Sequence, residues 1–297
     1  MSHTLALDIA GLTIELDSAG DLPIDAEGAA RKFVRADLPS TGAPRRADVK
    51  LRAVWGEPTE PPAADLLFDP GKGLWRLYRI GGKNRFVFTA PLLGPVPYQA
   101  ATFNEDFTDG EIEIRRDVFG HRLPVYPLQY PLDELLMVHL LSHGRGVEVH
   151  GSGIVSADGV GTLFAGQSGA GKTTMAKLWL SEPDITILSD ERVVLRQEGG
   201  EIWMYGTPWH GDGRIANQGR ARLGRVFFLR HAEQNGLAAV SPTVSVARLF
   251  ACGFAPFHRP QGLDYTLQFL EQVAQRCDCR ELGFRPDRSA VDFVRAN

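Results

Sequence analysis

Cysteine is scarce in this chain of 297 residues, which carries three: Cys252, Cys277 and Cys279. Three thiols cannot form the disulfide framework of a small secreted domain, so apolar packing must hold the fold, and a reducing cytoplasm is the expected location. The Cys277-x-Cys279 pair alone is a weak metal signal, and ordinary free thiols are the plainer reading. No apolar run reaches the roughly 18 residues that suggest a membrane helix. Asp8, Glu15 and Asp17 interrupt the N-terminal stretch, which argues against a signal peptide. Neither sign of charge dominates: 32 Lys and Arg stand against 36 Asp and Glu, a net −4, with a pI near 6.1. That balance argues against a general nucleic-acid or membrane-surface binder. With 43% apolar and 23% charged residues, the composition is that of a soluble globular protein. The length allows one large or two ordinary domains.

Residues 1–128 read as a β-rich domain, open to a substrate- or partner-binding role. Strand-like alternation recurs at Leu5–Ala10, Gly11–Leu16, Val49–Val54 and Glu111–Ile114. Leu74–Ile80, Gly81-Gly82 and Arg85–Phe88 read as a hairpin. One helix is expected near Ala26–Ala36. Pro124, Pro127 and Pro131 mark a join, placing a second domain at 129–297. That domain opens with a helix from Leu132 to Ser142, where His139 and His143 share a face either as packing residues or as a metal pair.

The chemistry concentrates in Gly166-Gln167-Ser168-Gly169-Ala170-Gly171-Lys172-Thr173. The run fits the phosphate-loop pattern G-x-x-x-x-G-K-[ST] at every fixed position. Glycines let backbone N–H groups turn inward onto phosphate oxygens, and the helix that follows adds its N-terminal dipole. Lys172 is placed to reach the terminal phosphates and the Thr173 hydroxyl to ligate Mg²⁺, with Thr174 next in the loop. A strand at Gly161–Ala165 precedes the loop and a helix at Thr174–Leu180 follows it.

Two neighbours add to the site. Val147–Ala157 reads as a strand, and Asp158-Gly159 as a two-residue hairpin turn. That turn pairs Ala157 with Val160, Gly151 with Gly166 and His150 with Gln167, and so delivers His150 to the edge of the phosphate site. After the helix, a strand over Asp184–Leu188 ends in Ser189-Asp190-Glu191-Arg192. Acids at such a strand end suit Mg²⁺ coordination or general-base work. Gly206–Gly213, with His210 and Asp212, is either a ligand-covering loop or a plain connection. Further on, strands are expected at Glu201–Tyr205, Arg225–Arg230 and Glu281–Phe284. Helices are expected at Thr243–Cys252, capped near Ser241, at Leu263–Ala274 and at Ser289–Arg295.

His150-Gly151, the hairpin, the loop Gly166–Thr173 and Leu188-Ser189-Asp190-Glu191-Arg192-Val193 resemble the catalytic domain of bacterial HPr kinase/phosphorylase. The resemblance implies an α/β domain with α+β character and a phosphoenolpyruvate-carboxykinase-like P-loop architecture on a mixed sheet. His150 matches the family histidine near the transferred phosphate, and Asp190 the acid taken as general base toward a seryl hydroxyl. Glu191 replaces the family's second Asp, a departure. Tyr205-Gly206-Thr207-Pro208 lacks the arginine that the family ties to its phosphorylase reaction. With His150-Gly151-Ser152-Gly153 and Gly206–Asp212, the chain looks more like the HPr-kinase-like proteins of peptide natural-product pathways. These include lasso-peptide kinases that phosphorylate a serine of the precursor peptide. The resemblance covers about residues 147–215 well and the rest of the second domain loosely, and does not extend to 1–125.

The expectation is therefore a cytoplasmic, ATP-dependent, Mg²⁺-requiring kinase acting on a hydroxyl, with serine of a peptide or protein as acceptor and neither nucleic acid nor membrane as partner. Asp190, His150 and Lys172 are the expected catalytic residues. Gly166–Thr174 are expected to hold the nucleotide, and Thr173, Glu191 and Asp190 the metal. Arg192, His210 and Asp212 are candidates for contact with substrate or phosphate. The alternatives are a nucleotide-gated binding protein without kinase activity, and a kinase for a small-molecule hydroxyl.

Overall fold

A computed structural model describes residues 3–35, 47–71 and 73–297. The chain divides into two compact units, 1–140 and 141–297.

The first unit is built on eight strands: β1 (Thr4–Ile9), β2 (Leu12–Ser18), β3 (Val49–Trp55), β4 (Leu66–Phe68), β5 (Trp75–Ile80), β6 (Lys83–Phe88), β7 (Gln99–Phe103) and β8 (Asp109–Ile114). They form one mixed sheet in the order β1-β2-β3-β8-β7-β6-β5-β4. Period-two burial is clear on β3, where Val49, Leu51 and Ala53 face inward while Lys50 and Arg52 are exposed. The β5–β6 hairpin turns on Gly81 and Gly82, both at positive φ, with Ile80 opposite Lys83. This is the two-residue geometry that matches strand twist. The segment near 26–36 forms a 3₁₀ turn over Gly28–Phe33 instead of a longer helix, and Ala36 lies outside the described residues. A short helix, α1 (Arg116–Phe119), follows the sheet.

The division between units falls later than the proline-marked join. Helix α2 (Leu132–Leu141) belongs to the first unit in all but its last residue. Its His139 explains the shift, with its ring 5.3 Å from Phe86 and 4.6 Å from Phe107, between centroids. His139 Nδ1 donates to the Leu135 carbonyl at 2.7 Å, so this histidine is a core residue.

The second unit carries β9 (Val147–Val155), β10 (Val160–Ala165), α3 (Lys172–Trp179), β11 (Thr186–Ser189), β12 (Arg192–Glu198), β13 (Glu201–Gly206), β14 (Arg220–His231), β15 (Gly236–Ala239), α4 (Pro242–Cys252), β16 (Gly253–Phe254), α5 (Pro260–Arg276), β17 (Asp278–Phe284) and α6 (Ser289–Ala296). The main path of its nine-stranded mixed sheet is β10-β9-β12-β13-β14-β17-β15, with β11 and β16 both on β9. β10 also pairs parallel with β14, so the sheet curls back on itself. Successive residues of β10 serve opposite faces. Leu163 and Ala165 join a core with Leu249 of α4 and Phe269 and Val273 of α5. Phe164 joins a second core with Met175 and Trp179 of α3 and Val291 of α6. The unit is therefore a helix–sheet–helix layering, in which both sheet faces must be apolar. Ser241 caps α4, its Oγ accepting from Val244 N at 3.4 Å. Among the described residues, no helix is long and apolar enough to cross a membrane.

Candidate functional site

β10 ends at Ala165, and Gly166–Gly171 then lead into α3 at Lys172. Gly169 has φ +82° and Gly171 φ +98°, the left-handed region in which glycine carries no steric cost. Gly171 is the N-cap of α3, and its carbonyl accepts the first helical bond from Met175 N at 2.8 Å. The amides of the first helical turn are thus left without helical partners at the loop.

A cavity of about 350 Å³ opens over this loop, lined by Ser168, Gly169, Gly171, Lys172, Thr173, Thr174, His150, Glu191, Gly211, Asp212 and His231. It gathers most of the residues that the sequence singled out. Arg192 and His210 do not line it, nor do Gly166, Gln167 and Ala170. Lys172 is 5% exposed, and its Nζ donates to the Gln167 carbonyl at 3.1 Å. Burial holds this ammonium below its ordinary range, while the negative charge of Glu191 opposes that shift.

The hairpin that delivers His150 differs from the expected register by one residue. Gly151 lies opposite Ala165, not Gly166, and Gly161 opposite Val155. The connection has three residues instead of two. Gly159 N donates to the Ser156 carbonyl at 2.8 Å, Ser156 N donates to the Val160 carbonyl at 3.0 Å, and Gly159 sits at φ +78°. This is the three-residue hairpin closed by a left-handed glycine. His150 therefore lies beyond the end of β10 and faces Arg192 of β12 across the sheet.

The two acids after α3 divide their work in a way the sequence did not indicate. Asp190 is fully buried, and its carboxylate accepts from three backbone amides: Gly211 N at 3.0 Å, Gly213 N at 2.7 Å and Ile215 N at 3.3 Å. A carboxylate saturated in this way is an anchor for the 211–215 turn. Asp190, expected as the base or a metal ligand, directs its carboxylate to this turn and does not line the cavity. Glu191 does. Its Oε1 accepts from His150 Nε2 at 2.7 Å, which fixes the proton on Nε2. That hydrogen bond holds the Glu191 carboxyl below its ordinary value against the opposing effect of burial, with His150, Lys172 and Arg192 adding charge attraction. Arg192 lies behind the pair, 3.8 Å from Glu191 Oε1 and 3.6 Å from the buried Glu148, with its guanidinium over the Phe254 ring.

Ser189 produces this division. Its Oγ accepts from Glu191 N at 3.2 Å and Arg192 N at 3.1 Å, a local turn between β11 and β12. The turn sends Asp190 inward and Glu191 to the cavity. The glycines of the facing turn are required by contact. A Cβ on Gly211 would lie 2.7 Å from Glu191 Oε2, and one on Gly213 would lie 2.4 Å from Asp190 Oδ2. Gly206–Gly213 is thus tied to both acids and brings Asp212 to the cavity wall.

His231, at the end of β14, lines the cavity without having been singled out in the sequence. The C-x-C pair lies elsewhere: burial pushes the Cys277 thiol up to about 12 and the Cys279 thiol up to about 11. Among the described residues, no three His, Cys, Asp or Glu side chains group as a metal site. No protein-family model matches the sequence, and no curated protein matches it.

Proposed function

We propose that the second unit is an ATP-dependent, Mg²⁺-requiring kinase that transfers the γ-phosphate to a hydroxyl, with a serine of a peptide or protein as acceptor. The observation that carries this reading is the joint lining of one cavity by the glycine loop, Lys172 and the hydrogen-bonded pair His150–Glu191. A phosphate chain suits the loop. The free amides at the start of α3 and a buried ammonium bonded to a carbonyl provide donors and charge for an anion. Thr173 and Glu191 provide a hydroxyl and a carboxylate beside it, the hard oxygen donors that Mg²⁺ takes alongside phosphate and water. Bound there, Mg²⁺ would neutralise charge developing on the transferred group.

In this reading, Lys172 and the loop amides orient the triphosphate. His150 donates Nε2–H to Glu191 Oε1, keeps that carboxylate ionised and aims it. Glu191 Oε2 takes the proton of the acceptor hydroxyl as the hydroxyl oxygen bonds to the γ-phosphorus and the bond from that phosphorus to the β–γ bridging oxygen breaks, releasing ADP. Asp190 supports the site from behind by fixing the turn against which Glu191 rests. Positioning and charge stabilisation supply most of the rate, as phosphoryl transfer generally requires. The phosphoenolpyruvate-carboxykinase-like architecture is part of the same proposal. It is supported by a strand, phosphate loop and helix set in a mixed sheet with a histidine delivered from the neighbouring antiparallel strand. The serine acceptor is supported by the resemblance of His150-Gly151-Ser152-Gly153 and Leu188–Val193 to peptide-modifying kinases.

The test is incubation with Mg–ATP and a mixture of serine-containing peptides, read by mass spectrometry. Wild-type protein should add a phosphoryl group to serine, and Lys172→Ala should not. ATP binding with no transfer to any hydroxyl would favour a nucleotide-gated binding protein, and transfer only to small alcohols would favour a small-molecule kinase.

A further inference from the structure

His231 has no part in the roles assigned above, yet it touches the loop on which they depend. It is the last residue of β14, which runs parallel to β10, so both strands end at the loop. Its Nε2 lies 3.2 Å from the Gly169 carbonyl oxygen. A carbonyl only accepts, so Nε2 carries the proton and donates it. The imidazole stacks on Phe284, with centroids 5.2 Å apart and planes 34° apart, and Phe284 pairs with His231 at the end of β17. The two rings lie against Gly171, Phe284 buried and His231 exposed at the cavity wall. A Cβ on Gly171 would lie 2.6 Å from Phe284 Cζ and 3.1 Å from His231 Cε1. A Cβ on Gly169 would meet nothing within 4 Å. The loop is therefore packed from below at Gly171, tied at the Gly169 carbonyl and open beside Gly169.

We propose that His231 is a positioning residue for nucleotide binding. It holds Gly169–Gly171 in the shape that presents the first amides of α3 to a phosphate. The inference rests on the phosphate-loop reading above. A glycine-rich segment has more conformational freedom to lose than any other when it closes on a ligand. Anchoring one carbonyl in advance removes part of that cost before the ligand arrives. The effect falls on the loop as a whole, so its loss weakens ATP and ADP equally and does not discriminate the γ-phosphate.

The experiment is calorimetric titration of Mg–ATP and Mg–ADP into the full chain and three variants at His231, with thermal midpoints measured on the same preparations. His231→Ala should weaken both nucleotides about tenfold, the upper worth of one neutral hydrogen bond. His231→Gln places an amide donor near Nε2 and should recover most of the affinity. His231→Phe keeps a ring and loses the donor, and should stay weak. A lowered midpoint with wild-type nucleotide affinity in the folded fraction would overturn the proposal and leave His231 as a packing residue. If the alanine variant does not fold, the phenylalanine variant decides: wild-type affinity there overturns the proposal. Lys172→Ala separates the two levels. Wild-type affinity in Lys172→Ala would overturn the phosphate-loop reading, and this proposal with it. Lost affinity in Lys172→Ala beside unchanged affinity in His231→Ala would overturn the role of His231 alone.

Discussion

His150 and Glu191 meet with Nε2 and Oε1 2.7 Å apart, one on β9 and the other just before β12. The hydrogen bond from His150 is the largest influence holding the Glu191 carboxyl below its ordinary value of 4.5. The sign follows from linkage. A carboxylate depressed in the folded state contributes its stability fully above its unfolded value, and that contribution fades as pH falls through the folded value. The same lowered ionisation places the acid limb that Glu191 sets in the pH–rate profile below the ordinary carboxyl value of 4.5. His150→Ala should move that limb to higher pH, in addition to lowering turnover. Rate profiles of the two proteins on one peptide substrate provide the check, and an unmoved limb would separate His150 from Glu191.

Asp190→Asn should destabilise the fold. The amide offers one oxygen where the carboxylate offers two to three backbone N–H donors, and its NH₂ faces donors. Hydrogen bonds to a buried charged group contribute about 1.5–3 kcal/mol each, so a loss of about 2–4 kcal/mol is expected. Denaturant unfolding monitored by tryptophan fluorescence measures this directly. Unchanged stability with a selective loss of turnover would instead return Asp190 to the role of base.

Much of the second unit is legible in the sequence. Ser241 with Pro242 announced α4, the strand expected at Glu281–Phe284 lies within β17, and the phosphate-loop pattern fell at a strand-to-helix junction. The rest depended on relations that the sequence does not carry. Asp158-Gly159 has the signature of a two-residue turn, but Gly159 takes the left-handed position of a three-residue one, shifting every pair by one. Asp190 and Glu191 are chemically alike, and only the Ser189 turn decides which one faces the cavity. His231 is separated from the loop by 62 positions in the chain, and the parallel pairing of β14 with β10 is what brings it there. His139 reads as amphipathic-helix packing in sequence, and its aromatic partners in the first unit set the domain division.

Lys172 is held at a cost to the fold, because burial disfavours its charge more than Glu191 offsets it. Lys172→Met keeps the volume and removes the charge. The thermal midpoint should rise, by roughly 2–4 °C for each kcal/mol of burial cost released. Nucleotide binding should be lost at the same time, the usual opposition of stability and function at a site. Scanning calorimetry with and without Mg–ATP tests both halves. A lowered midpoint would make Lys172 a residue that holds the fold together.

The most direct measurement is turnover and ATP affinity of Glu191→Gln beside wild type, with Mg–ATP and the serine-peptide mixture. Glu191→Gln should keep a weakened Mg–ATP binding, lower the thermal midpoint by the lost charged hydrogen bond from His150, and lower turnover by roughly 10²–10⁴-fold, the worth of a general base. Turnover equal to wild type in Glu191→Gln would contradict the assignment of the base, and a wild-type protein that neither binds ATP nor phosphorylates any peptide would contradict the function itself.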